Sequence, residues 1–555
     1  MRRKYLIPAL AAVIIAFSFG FRVADLRSNT LGFFCDEASI GYNAYSIAKT
    51  GHDEHGVAFP LFFKAFGEYK PPLYIYSAAV STAMFGKSEF ATRLPSALFM
   101  SLTMVLAYLL LRQQVSAGAG LIAVAIMAIE PWLNHYSHLA FNLTALPMLL
   151  TLSVLLLLHG LNNRHRGALW LSALTFSVAF YTYPPARPFV PLFVLTALWI
   201  YREQVMASGW SRMTMFCAIA GLSAVPFVYY LLTIDDFLGR VDYLNVYTSP
   251  FAQQYSWSWR KAATLLASLG GIEAQEHPLL TRNLMVLLHY LSYLNPRYLF
   301  LSGGDHLIYG TPAFGVLGLH AAPLLALGLI SMPWKRDRFD RLLLAWLLLS
   351  PIPAALTWES IPHTGRWIIV HPSLDLIAAI GGWRTMQTLR DRHLGRYAAG
   401  GFCALIMALG LWHAQRYFSY ARHFYPQVSA GWLQYGYREA LAQSEQLRRA
   451  DETVVLLTQG IYYQPYIFAL FYSDDDPQRW QNGHHLHAGL EVRSGALEQQ
   501  HDQKPTLYVV APFPQVSLAD WEQVGVVPYP DGRSDAFGLF RRRAEPSAPA
   551  IINPR

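Results

Sequence analysis

The chain has 555 residues, 54% of them apolar and only 14% charged, with a mean hydropathy of +0.25. A soluble chain carries about 25% charged residues, so a wholly water-facing surface is excluded. The net charge of +8 sits in short basic clusters between apolar runs, the pattern of cytoplasmic loops rather than of a nucleic-acid-binding face.

In chain order, Arg2-Arg3-Lys4 and the apolar run to about Val23 lack a small-x-small cleavage site, which predicts a retained first helix. A span needs about 20 mostly apolar residues. Candidate spans are roughly 6–24, 71–86, 94–111, 117–132, 140–160, 167–182, 188–201, 213–233, 311–330, 341–358, 366–382 and 398–414. Arg2, Arg3 and Lys4 place the N-terminus inside, and further inside loops are marked by Arg164 and Arg166, Arg202 and Arg212, Lys335, Arg336, Arg338 and Arg341, and Arg384, Arg390, Arg392 and Arg396. Segments of about 25–70 and 234–310, and everything after about 415, then fall outside. One stretch conflicts: passing from outside at residue 70 to inside at residue 162 needs an odd number of crossings, and four runs lie there. One of the four, the short 71–86 or 117–132 run, is expected to be re-entrant or fused to a neighbour, so the total is roughly 11 or 13 spans.

From about 415 the chain is richer in Gln, Arg, Asp and His. Short β-like runs, Thr453–Thr458 and Thr506–Val510, follow a predicted helix over Ala430–Arg449. The expected architecture is an all-α polytopic membrane domain, residues 1–414, followed by a small extracytoplasmic α/β domain, 415–555. The last dozen residues, with Pro546, Pro549 and Pro554, read as disordered, and Gly483-His484-His485-Leu486-His487 as a solvated loop. Cys35, Cys217 and Cys403 read as free thiols, since two of the three lie inside apolar runs.

The densest polar cluster is the first outside loop: Phe33-Phe34-Cys35-Asp36-Glu37-Ala38, Gly41-Tyr42-Asn43-Ala44-Tyr45, Gly51-His52-Asp53-Glu54-His55-Gly56 and Gly67-Glu68-Tyr69-Lys70-Pro71-Pro72-Leu73-Tyr74. Paired acids beside a membrane helix point to function, although helix-capping acids on a solvated loop would look the same. A carboxylate here can take the proton of an attacking hydroxyl, and a departing phosphate needs cations on its oxygens. Lys70, Arg187, His363 and Arg366 share the outside face with Asp36, each also readable as an interface residue. Tyr42, Tyr45, Tyr74 and Tyr183 are aromatic candidates for sugar stacking. No Gly-x-Gly-x-x-Gly after a strand and no Walker pattern is present, which argues against a nucleotide sugar as direct donor and against an ATP-driven transporter.

These strings, with Phe85-Gly86-Lys87-Ser88-Glu89-Phe90-Ala91-Thr92-Arg93-Leu94-Pro95-Ser96, Tyr298-Leu299-Phe300-Leu301-Ser302-Gly303-Gly304-Asp305 and Tyr466-Ile467-Phe468-Ala469-Leu470-Phe471-Tyr472 before Asp476-Pro477, resemble the family 39 glycosyltransferases: protein mannosyltransferases, the lipid A aminoarabinose transferase and bacterial relatives. The resemblance implies a GT-C fold, a bacterial inner-membrane location with a periplasmic site, a polyprenyl-phosphate sugar donor and inversion at the anomeric carbon. It implies Asp36 as the catalytic carboxylate, with Glu37 beside it as a second catalytic candidate, and Lys70 on the donor phosphate. Further substrate-contact candidates are Tyr42, Tyr74, Glu68, Arg93 and Asp305 on these strings, and His138 outside them. Relatives often carry Ser-Arg where this chain has Ser137-His138, a departure from the pattern. The acceptor class, whether protein, lipid or polysaccharide, stays open.

No cofactor is specified by the sequence. His52, Asp53, Glu54, His55 and Glu68 are N/O ligand types for a divalent ion, at a spacing that matches no closed site. The chief alternative function is a transporter or flippase of lipid-linked saccharides. Such a protein would place charges at mid-span and show inverted repeats, whereas charged groups here gather at span ends and in outside loops.

Overall fold

The computed structural model describes residues 2–24, 26, 32–270, 272–332, 337–391, 395–460, 462–483, 486, 489–500, 502, 504–512 and 520–543. Lys335, Arg336, Arg392, the cluster members His484, His485 and His487, and the proline-containing last dozen residues lie outside that set.

Helix α1 (Arg2–Ala24) leads to α2 (Cys35–Thr50), the hairpin β1 (Phe63–Ala65) and β2 (Glu68–Lys70), then α3 (Pro72–Phe85), α4 (Glu89–Gln114), α5 (Ala117–Ala128) and α6 (Pro131–Ser137). After these come α7 (Leu146–Asn162), α8 (Arg166–Phe180), α9 (Ala186–Ile200), α10 (Arg202–Ser208), α11 (Trp210–Thr233) and α12 (Gly239–Leu244). Among the described residues five helices are long and apolar enough to cross a membrane: Tyr5–Ala24, Glu89–Gln114, Asn142–Asn162, Trp210–Thr233 and Gly395–Ser429. The bent pairs α5 with α6 and α9 with α10 raise the number to as many as 7.

Of the two short runs expected to be re-entrant or fused, 71–86 is the one too short to be a candidate span. The 14 residues of α3 rise about 21 Å, short of the roughly 30 Å hydrocarbon core, and the helix packs on α2 and α4. Without it, α4, the α5–α6 pair and Asn142–Asn162 are the candidates between residues 70 and 162, an odd number that removes the parity conflict. Other expected spans are broken. Pro351, with no N–H to donate, separates Arg338–Leu349 from Pro351–Ala355. The 366–382 run is a short helix Thr364–Trp367, a 3-10 turn Ile368–Val370 and the helix His371–Arg390. The 234–310 segment is itself largely helical, including Trp257–Gly270 and Pro278–Tyr293.

The C-terminal part holds a five-stranded sheet of β3 (Thr453–Thr458), β4 (Leu490–Arg493), β5 (Thr506–Ala511), β6 (Trp521–Pro528) and β7 (Asp535–Arg542), in the order β4-β3-β5-β7-β6. β3 is parallel to both neighbours, and its continuous Val454-Val455-Leu456-Leu457 run is buried, as expected for a strand covered on both faces. The helix expected over Ala430–Arg449 forms only over Tyr437–Leu447, because Gly436 before it has φ 106°, incompatible with helix. Tyr437 of that helix stacks on Phe468, with ring centroids 3.8 Å apart. This layer docks on α2: Phe471 packs on Phe33 and Gly41, and Gln481 donates to Ser46 Oγ and the Asp53 carbonyl at 2.9 and 3.0 Å.

Candidate active site

Asp36 and Glu37 occupy the first turn of α2. Successive helical residues are rotated by about 100°, so neighbouring acids face different surroundings. Asp36 lines a cavity of about 380 Å³ and forms an ion pair with Lys70. Glu37 turns into the core, 0% exposed, and accepts from Arg93 Nε and Nη2 and from Ala140 N, each at 2.8 Å. Glu37 is thus the counterion of Arg93, itself 0% exposed, and neither faces the cavity. The N-cap residue of α2, Phe34, has no side-chain oxygen to accept from the first turn, although Glu37 Oε2 accepts Phe34 N at 3.4 Å. Gln434, from the C-terminal part, supplies such an oxygen: its Oε1 accepts Cys35 N at 2.8 Å and its Nε2 donates to the Tyr463 carbonyl at 3.0 Å.

The β1–β2 hairpin carries the next two groups. Phe66 and Gly67 both have left-handed φ, 56° and 81°, which gives a tight two-residue turn. Strand alternation then sets Glu68 and Lys70 on one face, where Lys70 Nζ meets Glu68 Oε1 at 3.4 Å as well as Asp36. Burial works against the ammonium charge, but the two carboxylates outweigh it and hold Lys70 above its ordinary value. Pro71 and Pro72 end the strand and open α3.

The remaining wall is cationic. Arg366 donates to the Glu359 carbonyl at 2.6 Å and to Thr357 Oγ1 at 2.9 Å, and lies 3.4 Å from Glu359 Oε2. Arg240, on α12, bridges Glu68 and Glu359 at 3.9 and 3.6 Å. Arg187, at the start of α9, rests among the rings of Phe62, Phe227 and Phe237, 5.0 to 5.8 Å from their centroids. Tyr183, Asn142 and Tyr309 also line the cavity. His363 also lines it, but burial and the nearby Arg366 hold its imidazole far below the ordinary value. It therefore enters as a neutral ring, accepting Arg366 N at 3.2 Å and facing Tyr309 at 4.3 Å.

Of the sequence-derived candidates, the cavity brings together Asp36, Glu68, Lys70, Tyr183, Arg187, His363 and Arg366. Tyr42 is buried away from it, and Tyr74 Oη is held by the Thr92 carbonyl and Ser96 Oγ at 3.0 and 2.7 Å. His138 Nδ1 lies 2.7 Å from the Asn134 carbonyl, and Asp305 sits on an exposed bend. The loop residues proposed for a metal do not form a common ligand group: His52 Nδ1 lies 2.7 Å from the Thr50 carbonyl, Asp53 accepts His55 N and Val57 N at 2.9 and 2.8 Å, and Glu68 faces Lys70 and Arg240. Glu54 is 0% exposed against Asn43, and burial pushes its carboxyl up to about 8. Arg240 and Glu359 were not singled out by the sequence; nothing in their local strings separates them from other charges on outside segments.

Residues 69–230 match the family model of dolichyl-phosphate-mannose-protein mannosyltransferases. No curated protein sequence matches the chain significantly. Among solved structures, ArnT from Cupriavidus metallidurans bound to undecaprenyl phosphate superposes with a TM-score of 0.56 at 13% identity, covering 99% of each chain. Its apo form gives 0.51 at 12% identity over 97% of each. The Archaeoglobus fulgidus oligosaccharyltransferase tethered to an acceptor peptide gives 0.51 at 13% identity, over 84% of this chain and 63% of that one. Over its whole length the chain has the fold of the ArnT structure, the GT-C fold expected from the sequence, and residues 69–230 carry the likeness to the mannosyltransferase family model.

Proposed function

We propose that the protein transfers a sugar from a polyprenyl-phosphate-linked donor to an acceptor hydroxyl on the extracytoplasmic face, with inversion. The observation that carries this is one cavity in which Asp36, beside the further acids Glu68 and Asp236, shares the lining with four basic side chains, Lys70, Arg187, Arg240 and Arg366. The undecaprenyl phosphate bound in the superposed ArnT structure supports the donor class.

The hypothesised reaction is a single displacement. Asp36 accepts the acceptor proton as the acceptor oxygen bonds to the anomeric carbon. The bond from that carbon to the phosphate oxygen breaks with its electron pair on the phosphate. A phosphodiester with one negative charge becomes a monoester with nearly two, so cations around it bind the transition state better than the ground state. In the resting site Lys70 neutralises Asp36. An arriving phosphate draws the ammonium to its own oxygens and leaves Asp36 free to act as base. The acceptor is a protein, lipid or polysaccharide hydroxyl. Transfer assays with Asp36→Asn and Lys70→Ala test the assignment: both variants fold, Asp36→Asn loses transfer while retaining donor binding, and Lys70→Ala weakens donor binding. Full transfer by Asp36→Asn, or labelling of residues 36 and 366 from opposite sides of the membrane, would refute it.

A further inference from the structure

Outside the cavity, three ionisable side chains with no part in the proposed reaction meet in the apolar core. Glu130, His371 and Asp375 are each 0% exposed, with ligand-type atoms within 4.8 Å of one another. His371 Nε2 lies 2.8 Å from Glu130 Oε2, and its Nδ1 lies 2.9 Å from Asp375 Oδ2, one helical turn along. Arg22, also 0% exposed, is within electrostatic reach of Glu130 and donates to Asn134 Oδ1, Ser101 Oγ and the Met127 carbonyl at 3.2 to 3.3 Å.

Two arrangements can satisfy such a group, a divalent ion or an added proton. The carboxylates sit at the two different nitrogens of one ring. An ion would take the lone pair of a single nitrogen, leaving one carboxylate on the far side of the imidazole, whereas a proton on the ring sets a cation within 2.9 Å of both carboxylates. Charge gives the same answer. A divalent ion with Arg22 and two carboxylates sums to one net positive charge, while an imidazolium with Arg22 and the same carboxylates sums to zero. Net charge in an apolar interior is strongly unfavourable.

The cluster also connects to the cavity wall along two paths. His371 follows the turn carrying Arg366 by five positions, and Trp132 packs on both Trp367 and His371, at 5.9 and 5.3 Å between ring centroids. Glu130 is the N-cap residue of α6, whose Tyr136 Oη donates to the Tyr309 carbonyl at 2.9 Å and lies 3.1 Å from Thr364 Oγ1. We infer that His371 is an imidazolium clamped between Glu130 and Asp375 and balanced by Arg22, and that this neutral four-charge cluster positions α6 and the Arg366 turn for donor binding. The positioning half rests on the donor-phosphate function proposed above.

The test is a charge-balance cycle on the purified full-length protein: Glu130→Gln, Arg22→Met and the double variant. The readouts are melting midpoint, divalent-metal content and affinity for undecaprenyl phosphate. Each single variant leaves one uncompensated charge, lowers the midpoint and weakens binding about tenfold, and the neutral double variant recovers about half of both losses or more. Strictly additive losses overturn the charge cluster, as does a stoichiometric metal ion that disappears in Glu130→Gln. Rescue of the midpoint with binding unchanged throughout overturns the positioning role alone. Wild-type protein that fails to bind undecaprenyl phosphate, with the midpoint still rescued, refutes the donor assignment and the positioning role but supports the charge balance.

Discussion

The adjacent acids of α2 give a sharp test of the site, because replacing each by its amide should fail in a different way. Glu37→Gln removes the charge that balances Arg93, and both side chains are 0% exposed. Breaking a buried ion pair from one side costs about 3–5 kcal/mol, since the partner charge is left without compensation. The amide keeps one carbonyl oxygen, which can still accept from Arg93 Nε or Ala140 N, so the lower end, about 3 kcal/mol, applies. A clear drop in melting midpoint is expected, with transfer activity retained in the fraction that stays folded. Adding Arg93→Met recovers much of the stability by removing the stranded charge. Asp36→Asn, by contrast, melts close to wild type and is inactive. Melting curves and transfer assays on the same detergent-purified samples measure both quantities. A Glu37→Gln protein as stable as wild type and fully inactive would refute the division of roles.

Glu54→Gln tests the buried acid beside Asn43. From about pH 4.5 to about 8 the folded carboxyl keeps its proton while the unfolded chain has lost it, so wild-type stability falls as pH rises through that window and levels off above it. The amide has no such dependence, and its advantage grows across the window by on the order of 3–5 kcal/mol. Melts at both ends of the window read this directly, and a pH-independent difference would refute it. Arg187→Gln removes a guanidinium seated among three rings. The Michaelis constant for the donor should rise about tenfold, equivalent to roughly 1.4 kcal/mol, with little change in that for the acceptor. Gln434→Ala uncaps α2 from 399 residues away, costing about 1 kcal/mol and lowering turnover through Asp36; unchanged turnover would show that the cap serves stability only.

Much of the architecture was legible because lipid imposes a coarse rule, about 20 apolar residues per span. That rule counts composition and ignores direction, so it left 71–86 and 117–132 as equal candidates for the odd run and could not show that α3 packs on α2 and α4. It was equally blind to Pro351 breaking one expected span and to Gly436 delaying a helix, both local backbone effects inside an otherwise suitable pattern. The C-terminal strands were visible because β3 and β5 are unbroken apolar runs, while β6 alternates more weakly and pairs at the sheet edge.

The site was legible where chemistry and chain direction coincide, as in the hairpin that brings Glu68 and Lys70 to Asp36. It was not legible where one motif serves two purposes. Asp36-Glu37 and Arg93 lie in strings that look uniformly functional, yet a rotation of about 100° per residue sends Glu37 into the core to meet Arg93 while Asp36 faces the cavity. Gly41 belongs to the same string for packing, since a Cβ there would come within 2.5 Å of Phe471 and 2.7 Å of Thr92 Oγ1. Arg240 has the converse history: an ordinary loop residue by its neighbours in sequence, it gains its place only when α12 folds back over Glu68 and Glu359. Helical phase therefore separates cavity-facing from core-facing residues within a motif, and long-range closure recruits cations that no motif contains.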